Sequence, residues 1–292
     1  MFQIVSDGGC DFSKEEAEKY NVTVVPFYII ADGDQQLREG IEINKDDFYK
    51  RLAAEKDFKP KTSQPSPHDY IEAYTPHLEE GKDLLVITLS SKVSGSNNSA
   101  TMAAEMLQEK FPERRIEIFD SLNGSLGQNL MTKEIIKMRD VGLSLDEALQ
   151  HGQKLVDSTR LYLIVETVDY LRRGGRVGPT TALVGGILKL CPILDLQEGV
   201  WEQLDTVRGK KKALRLLEEA LVYVLKGEMD NVNLSIGHVL SGDDANFFAT
   251  SLKSALGISD ISVTEVGTPF GTHTGPGAIL VSYCKKYEAL AV

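Results

Sequence analysis

Leu84-Leu85-Val86-Ile87-Thr88-Leu89 runs directly into Ser90-Ser91-Lys92-Val93-Ser94-Gly95-Ser96, and a helical pattern over Asn97 to Lys110 follows. An unbroken run of apolar and β-branched residues reads as a strand buried on both faces, the kind found in parallel sheets. Strand, polar loop and helix in that order make one βαβ unit, and the texture recurs on either side. Phe2 to Val5, Val22 to Ile30 and Ile116 to Phe119 are further strands. Helix starts are marked by Ser13 with Glu16, by Ser66 before Pro67, and by Ser144 with Glu147. Ala31 to Gly40, polar and carrying two glycines, reads as a turn or hairpin. The fold class is α/β, opening with a Rossmann-like parallel sheet.

Beyond residue 158 strands lie closer together and helices are fewer. Leu161 to Val165, Val200 to Val207, Val232 to Leu240, Ile261 to Val266 and Ala278 to Tyr283 are strands. Pro179 to Leu190 reads as a small-residue apolar helix, with further helices over Lys211 to Lys226 and near Asp244 to Ala255. This predicts two domains, residues 1–158 and an α+β unit with a mixed sheet over 159–292. The length of 292 residues suits that division.

Composition narrows the function. A formal net charge of -11 argues against a nucleic-acid backbone as partner. Three widely spaced cysteines, Cys10, Cys191 and Cys284, fit reduced thiols in a cytoplasmic protein. The uncharged stretch Val266 to Cys284 holds Gly267, Pro269, Gly271, Gly275, Pro276 and Gly277, so it reads as a loop followed by a strand, not a membrane helix. No signal-peptide pattern opens the chain.

Small polar residues cluster after successive strands: Ser6 to Gly9, Ser90 to Ser96, Asp120 and Ser121, with Thr62 to Ser66 before a helix. The carboxyl ends of parallel strands line a ligand crevice, so these loops should converge on a phosphate or carboxylate. Caps and turns use the same residues. His273, inside Gly271-Thr272-His273-Thr274-Gly275-Pro276-Gly277, either presents its ring to a ligand oxygen or satisfies loop carbonyls. Arg172, Arg173 and Arg176 around Gly174 and Gly175 can cradle an anion, dock an acidic partner or form a solvated face. No nucleotide-binding loop, zinc-protease helix or hydrolase elbow is present.

Five segments in order, Thr62-Ser63-Gln64-Pro65-Ser66, Ser90 to Ser96, Asp120-Ser121, Leu171 to Arg176 and Gly271 to Gly277, resemble the DegV family across essentially the whole chain. The resemblance implies a long-chain fatty acid held between the two domains and, in many bacteria, service as FakB, the acyl-carrying subunit of fatty acid kinase. It implies that Thr62 and Ser94 hold the carboxylate, that His273 supports them, and that Arg172, Arg173 and Arg176 present the head group to the kinase. The chain departs from the family pattern at Gly8 to Cys10, at Ser96 and over Asn123 to Gln128. No cofactor is expected here, since ATP and magnesium ions belong to the partner. Transient membrane contact fits a lipid carrier, and Pro179 to Leu194 offers apolar residues for a tunnel: Leu183, Val184, Ile187, Leu188, Leu190, Ile193 and Leu194. Two other readings are a stand-alone hydrolase or transferase using Ser94 with His273, and a small-anion sensor.

Overall fold

The computed structural model describes residues 2–31, 33, 35–55, 57–176 and 190–290. In chain order the first half runs β1 (Phe2–Asp7), α1 (Lys14–Lys19), β2 (Val22–Val25), β3 (Tyr28–Ala31), β4 (Gln35–Arg38), α2 (Lys45–Ala54), β5 (Lys61–Ser63), α3 (Pro67–Glu79), β6 (Asp83–Thr88), α4 (Ser96–Gln108), β7 (Ile116–Asp120), α5 (Ser125–Asp140) and α6 (Leu145–Ser158). The second half runs β8 (Arg160–Ile164), α7 (Asp169–Gly174), β9 (Leu190–Gln197), β10 (Val200–Arg208), α8 (Lys210–Leu225), β11 (Val232–His238), α9 (Gly242–Leu256), β12 (Ser262–Glu265), α10 (Thr268–Thr274) and β13 (Ile279–Lys285).

Three sheets result. The parallel sheet has the order β2-β1-β6-β7, and the mixed one β10-β9-β8-β13-β11-β12, in which only β11 and β12 pair parallel. The third, β4-β3-β5, is a small antiparallel sheet. It exists because the expected strand Val22 to Ile30 is broken at Pro26: proline lacks the N–H that a continued ladder needs. The chain therefore leaves the parallel sheet after Val25 and re-pairs from Tyr28. Thr62 and Ser63, expected in a loop, are the outcome of that detour, paired with Ile29 and Tyr28.

The three expected helix starts carry capping boxes, at Ser13, Ser66 and Ser144, each closed by an acid three residues on. Helices α2, α5 and α7 are additions to the expected set. The start of Val266 to Cys284 is also helical: His273 sits in the last turn of α10, not in an open turn. The expected helix over Pro179 to Leu190 falls almost wholly on 177–189, outside the described residues; Leu190 itself opens β9.

Helix α5 lies between the two large sheets. Twelve of its residues are buried, and Leu130, Met131, Ile135 and Met138 pack with Phe2, Ile4, Leu85 and Ile87 of the parallel sheet and with Cys284 of β13. Its buried charges are tied off on opposite sides. Arg139 donates to the carbonyls of Tyr20 and Asn21, while Glu134 accepts from Asn233 of β11 and from the Tyr287 backbone. A second core joins Ile29 and Phe48 to Leu163, Leu194 and Trp201 across the other side of the molecule.

Candidate functional site

The polar loops at the ends of β1, β6 and β7 do converge, but mostly on one another. Asp7, fully buried, accepts from Gly9 N at 3.1 Å, Leu89 N at 2.9 Å, Ser96 Oγ at 2.6 Å and Gln128 Nε2 at 2.9 Å. Burial pushes its carboxyl up, against those four donors. Ser90 Oγ donates to Gly199 O, Ser121 Oγ to Asn123 O, and Asp120 receives the backbone of Ser91 and Leu122. These residues cap and join elements, a correction to the expectation that all these loops face a crevice.

Ser94 is the exception. Its half-buried hydroxyl accepts from Ser96 N at 3.2 Å and lines a cavity together with Thr62, Arg176 and His273. Thr62 reaches that cavity because it is register partner to the buried Ile29, so its side chain takes the same inward face of the small sheet while Lys61 turns outward. Thr62 Oγ1 and His273 Nε2 are 2.8 Å apart. Phe270, His273 and Thr274 share one face of α10 by helical spacing, and all three line the cavity. The two motif loops interlock at Gly95, where a Cβ would come within 2.4 Å of Gln64 Nε2.

Arg176 arrives by way of a helix end. Gly175, with φ 68°, closes α7 in a left-handed conformation; Gly175 N donates to Arg172 O and Arg176 N to Leu171 O, a Schellman motif. That turn throws Arg176 back over the helix, where Nε donates to Val93 O at 3.2 Å and a second nitrogen to Gly174 O. The three arginines therefore part company. Arg176 is half-buried in the cavity wall, Arg173 is exposed with its guanidinium 4.4 Å from the Tyr170 ring, and Arg172 is exposed and lines neither this cavity nor the cleft next to it.

His273 is neutral in this setting. Burial, reinforced by the Arg176 charge, lowers its pKa to about 4. Its Nδ1 has no hydrogen-bond partner and lies against Gly174, whose Cβ, if present, would be 2.0 Å away. A bare Nδ1 packs there more cheaply than an unpaired N–H, which assigns the ring proton to Nε2. Nε2–H then donates to Thr62 and leaves the threonine hydroxyl hydrogen directed elsewhere. The same geometry counts against a Ser94 nucleophile: His273 bonds Thr62, not Ser94, and no carboxylate orients the ring among the described residues.

Away from these polar groups the walls are Phe27, Leu89, Val93, Leu171, Trp201, Pro269 and Phe270. The space between them is about 460 Å³ in all, of which about 50 Å³ admits the centre of a water-sized sphere. The slot is thus small and walled mostly by apolar side chains. Trp201, the one tryptophan of the sequence, is a wall that no sequence pattern singled out. Of the expected tunnel residues, Leu183, Val184, Ile187 and Leu188 lie outside the described residues, whereas Ile193 and Leu194 of β9 belong to two different cores.

A family model described as "Uncharacterised protein, DegV family" matches residues 1–286. The chain belongs to the DegV family. A DegV domain-containing protein of Caldanaerobacter subterraneus is 32% identical over 285 residues, covering 97% of this chain and 98% of that one. Among solved structures, a stearic acid-binding protein from Eubacterium ventriosum superposes with a TM-score of 0.92 at 30% identity, over 99% of both chains. A fatty acid-binding DegV family protein from Thermus thermophilus gives 0.86 at 29% identity, over 97% of this chain and 99% of that one. This DegV chain thus has the family's α/β fold, with a parallel four-stranded and a mixed sheet, and fatty-acid binders as structural neighbours. No helix among the described residues is long and apolar enough to cross a membrane.

Proposed function

We propose that this chain binds a long-chain fatty acid, with its carboxylate at Thr62 and Ser94 and its tail along the apolar slot, and presents the head group to a partner fatty acid kinase that phosphorylates it to an acyl phosphate. The observation that carries this reading is a largely apolar slot whose lining also holds the Thr62 and Ser94 hydroxyls, a neutral histidine and a guanidinium. Each methylene withdrawn from water contributes about 0.8 kcal/mol. Burying an ionised carboxylate is costly without donors, and Thr62, Ser94 and Arg176 supply them. His273 acts at one remove, holding the Thr62 hydroxyl hydrogen toward the ligand. Fatty-acid-binding neighbours from Eubacterium ventriosum, Thermus thermophilus and Bacillus subtilis support the lipid half of the reading. The kinase half rests on the motifs and on the exposure of Arg172 and Arg173, with ATP and magnesium ions bound by the partner and the site free of any cofactor of its own.

Native mass spectrometry of the freshly purified protein tests the lipid half. A co-purified C14 to C20 fatty acid is expected, and a chain that is empty and fails to take up palmitate or oleate overturns it.

A further inference from the structure

Gly174 and Gly175, the glycine pair among the arginines, are glycines for different reasons. At Gly175 the φ of 68° lies in the left-handed region and a Cβ would meet nothing within 4 Å, so conformation alone asks for glycine there. Gly174 is the last residue of α7 and has no positive φ, so its backbone would accept a side chain. What a Cβ would meet at Gly174 is the His273 ring. The three nearest atoms all belong to it: Nδ1 at 2.0 Å, Cε1 at 2.7 Å and Cγ at 3.2 Å.

The ring is thus wedged between two contacts, Gly174 against Nδ1 and the Thr62 hydroxyl 2.8 Å from Nε2. Helices α7 and α10 interdigitate here. Gly174 of α7 receives the α10 histidine, and Gly275, just past the end of α10, receives the α7 tyrosine, with a Cβ there falling 2.3 Å from Tyr170 Cδ2. Moving the helices apart to relieve the first contact would loosen the second. We propose that Gly174 is a positioning residue for the head-group site: its missing side chain lets the His273 ring reach Thr62 and keeps Nδ1 buried without a partner, so that the ring proton stays on Nε2 and the threonine hydroxyl keeps its hydrogen for a ligand carboxylate. This rests on the reading that Thr62 holds that carboxylate. A methyl group at Gly174 has to push the ring by about 1 Å to reach the 3.0 Å below which real Cβ contacts are not found. A shift of that size takes Nε2 out of hydrogen-bond geometry with Thr62 or opens Nδ1 to water, and either one releases the tautomer.

A competing route runs through Arg176, which donates to Gly174 O. The test is a double-mutant cycle of Gly174→Ala and His273→Ala, read by palmitate binding and by nitrogen-15 NMR of the ring in the ligand-free protein, with circular dichroism checking the fold. Gly174→Ala should weaken palmitate binding about tenfold and replace the single Nε2–H form of the ring by a mixture of tautomers. In the His273→Ala background the methyl group occupies space left by the ring, and the same substitution should change palmitate affinity by less than about twofold. Equal losses in both backgrounds put the effect in α7 or Arg176 and overturn the proposal, as does an unchanged ring spectrum in Gly174→Ala. Should Gly174→Ala fail to fold, a folded double variant supports a clash with the ring, and a misfolded one overturns it. A wild type that ignores palmitate overturns the carboxylate reading, while the ring spectra still decide what seats His273.

Discussion

On the proposed function the Thr62 side chain has two tasks, accepting from His273 and donating to the carboxylate that enters the slot. Removing a donor from a desolvated carboxylate costs on the order of 1.5 to 3 kcal/mol. Thr62→Ala and Ser94→Ala should each weaken palmitate binding by roughly ten- to a hundredfold, read by fluorescent fatty-acid displacement, with circular dichroism showing the fold retained. Wild-type affinity in the double variant would remove the hydroxyls from the site. His273 gives a spectroscopic prediction. With its pKa lowered to about 4 by burial and by Arg176, the ring stays neutral in the ligand-free protein until well below pH 6. A carboxylate arriving at Thr62 favours the charged imidazole, so its midpoint should rise on fatty-acid binding. Nitrogen-15 NMR of the ring reads both values, and a ligand-free midpoint near 6.5 would contradict the buried assignment. Of the groups at this site, Thr62, Ser94 and His273 were visible as motif residues. Arg176 was visible only as one of three like arginines, because what separates it from Arg173 is the left-handed turn at Gly175, and a Gly pair in a sequence does not say which way the next side chain will be thrown.

At the scale of elements, α10 carries His273 at its end while its beginning is held by acids. Glu39 accepts from both the backbone and the hydroxyl of Thr268 at 2.8 Å, and the Tyr49 hydroxyl donates to Val266 O. Burial raises Glu39 to about 7 and Asp11 to about 6, each further raised by the other's charge or by Glu16, with Lys45 offsetting in part. A carboxyl raised in the folded state holds a proton that the unfolded chain has released. Its contribution is fully present below about pH 4.5 and is lost as pH climbs through 7. Glu39→Gln, whose amide oxygen can still accept from Thr268, should therefore be more stable than wild type at pH 8, by on the order of 2 kcal/mol, with the difference vanishing toward pH 5. Urea unfolding at the two pH values checks this, and a gap that widens toward acid would refute it. His273 acts with the opposite sign: depressed in the fold, it lowers stability as pH falls from 6.5 toward 4. The strand, loop and helix order around Leu84 to Lys110 was legible because apolar runs and caps are local. Helix α5 was not, since burial on nearly every side erases the periodicity that marks an amphipathic helix, and β5 was not, since three residues pair only because Pro26 turned a distant strand away.

On the whole molecule, Arg173 lines the cleft beside the slot and not the slot itself, and the proposed function gives it a part in handing a lipid on rather than in holding it. Arg173→Ala should keep palmitate affinity within about twofold and lower turnover by a partner fatty acid kinase, measured as acyl phosphate formation. Loss of both would put the arginine in the lipid site, and loss of neither would make it a solvated side chain. The sequence texture suggested two domains, 1–158 and 159–292, and two domains that melted independently would give two events. Helix α5 ties the two large sheets together. A helix gripped by Tyr20 and Asn21 through Arg139, and by Asn233 and Tyr287 through Glu134, cannot lose one neighbour without exposing a buried charge and an apolar face to water. Neither large sheet is then able to survive the other's collapse, and scanning calorimetry should show a single endotherm whose van't Hoff and calorimetric enthalpies agree. Two resolved peaks would show the halves melting apart. A lipid seated at any point in the slot would raise that one transition temperature for the entire chain, so that cargo and cooperativity are read from the same curve.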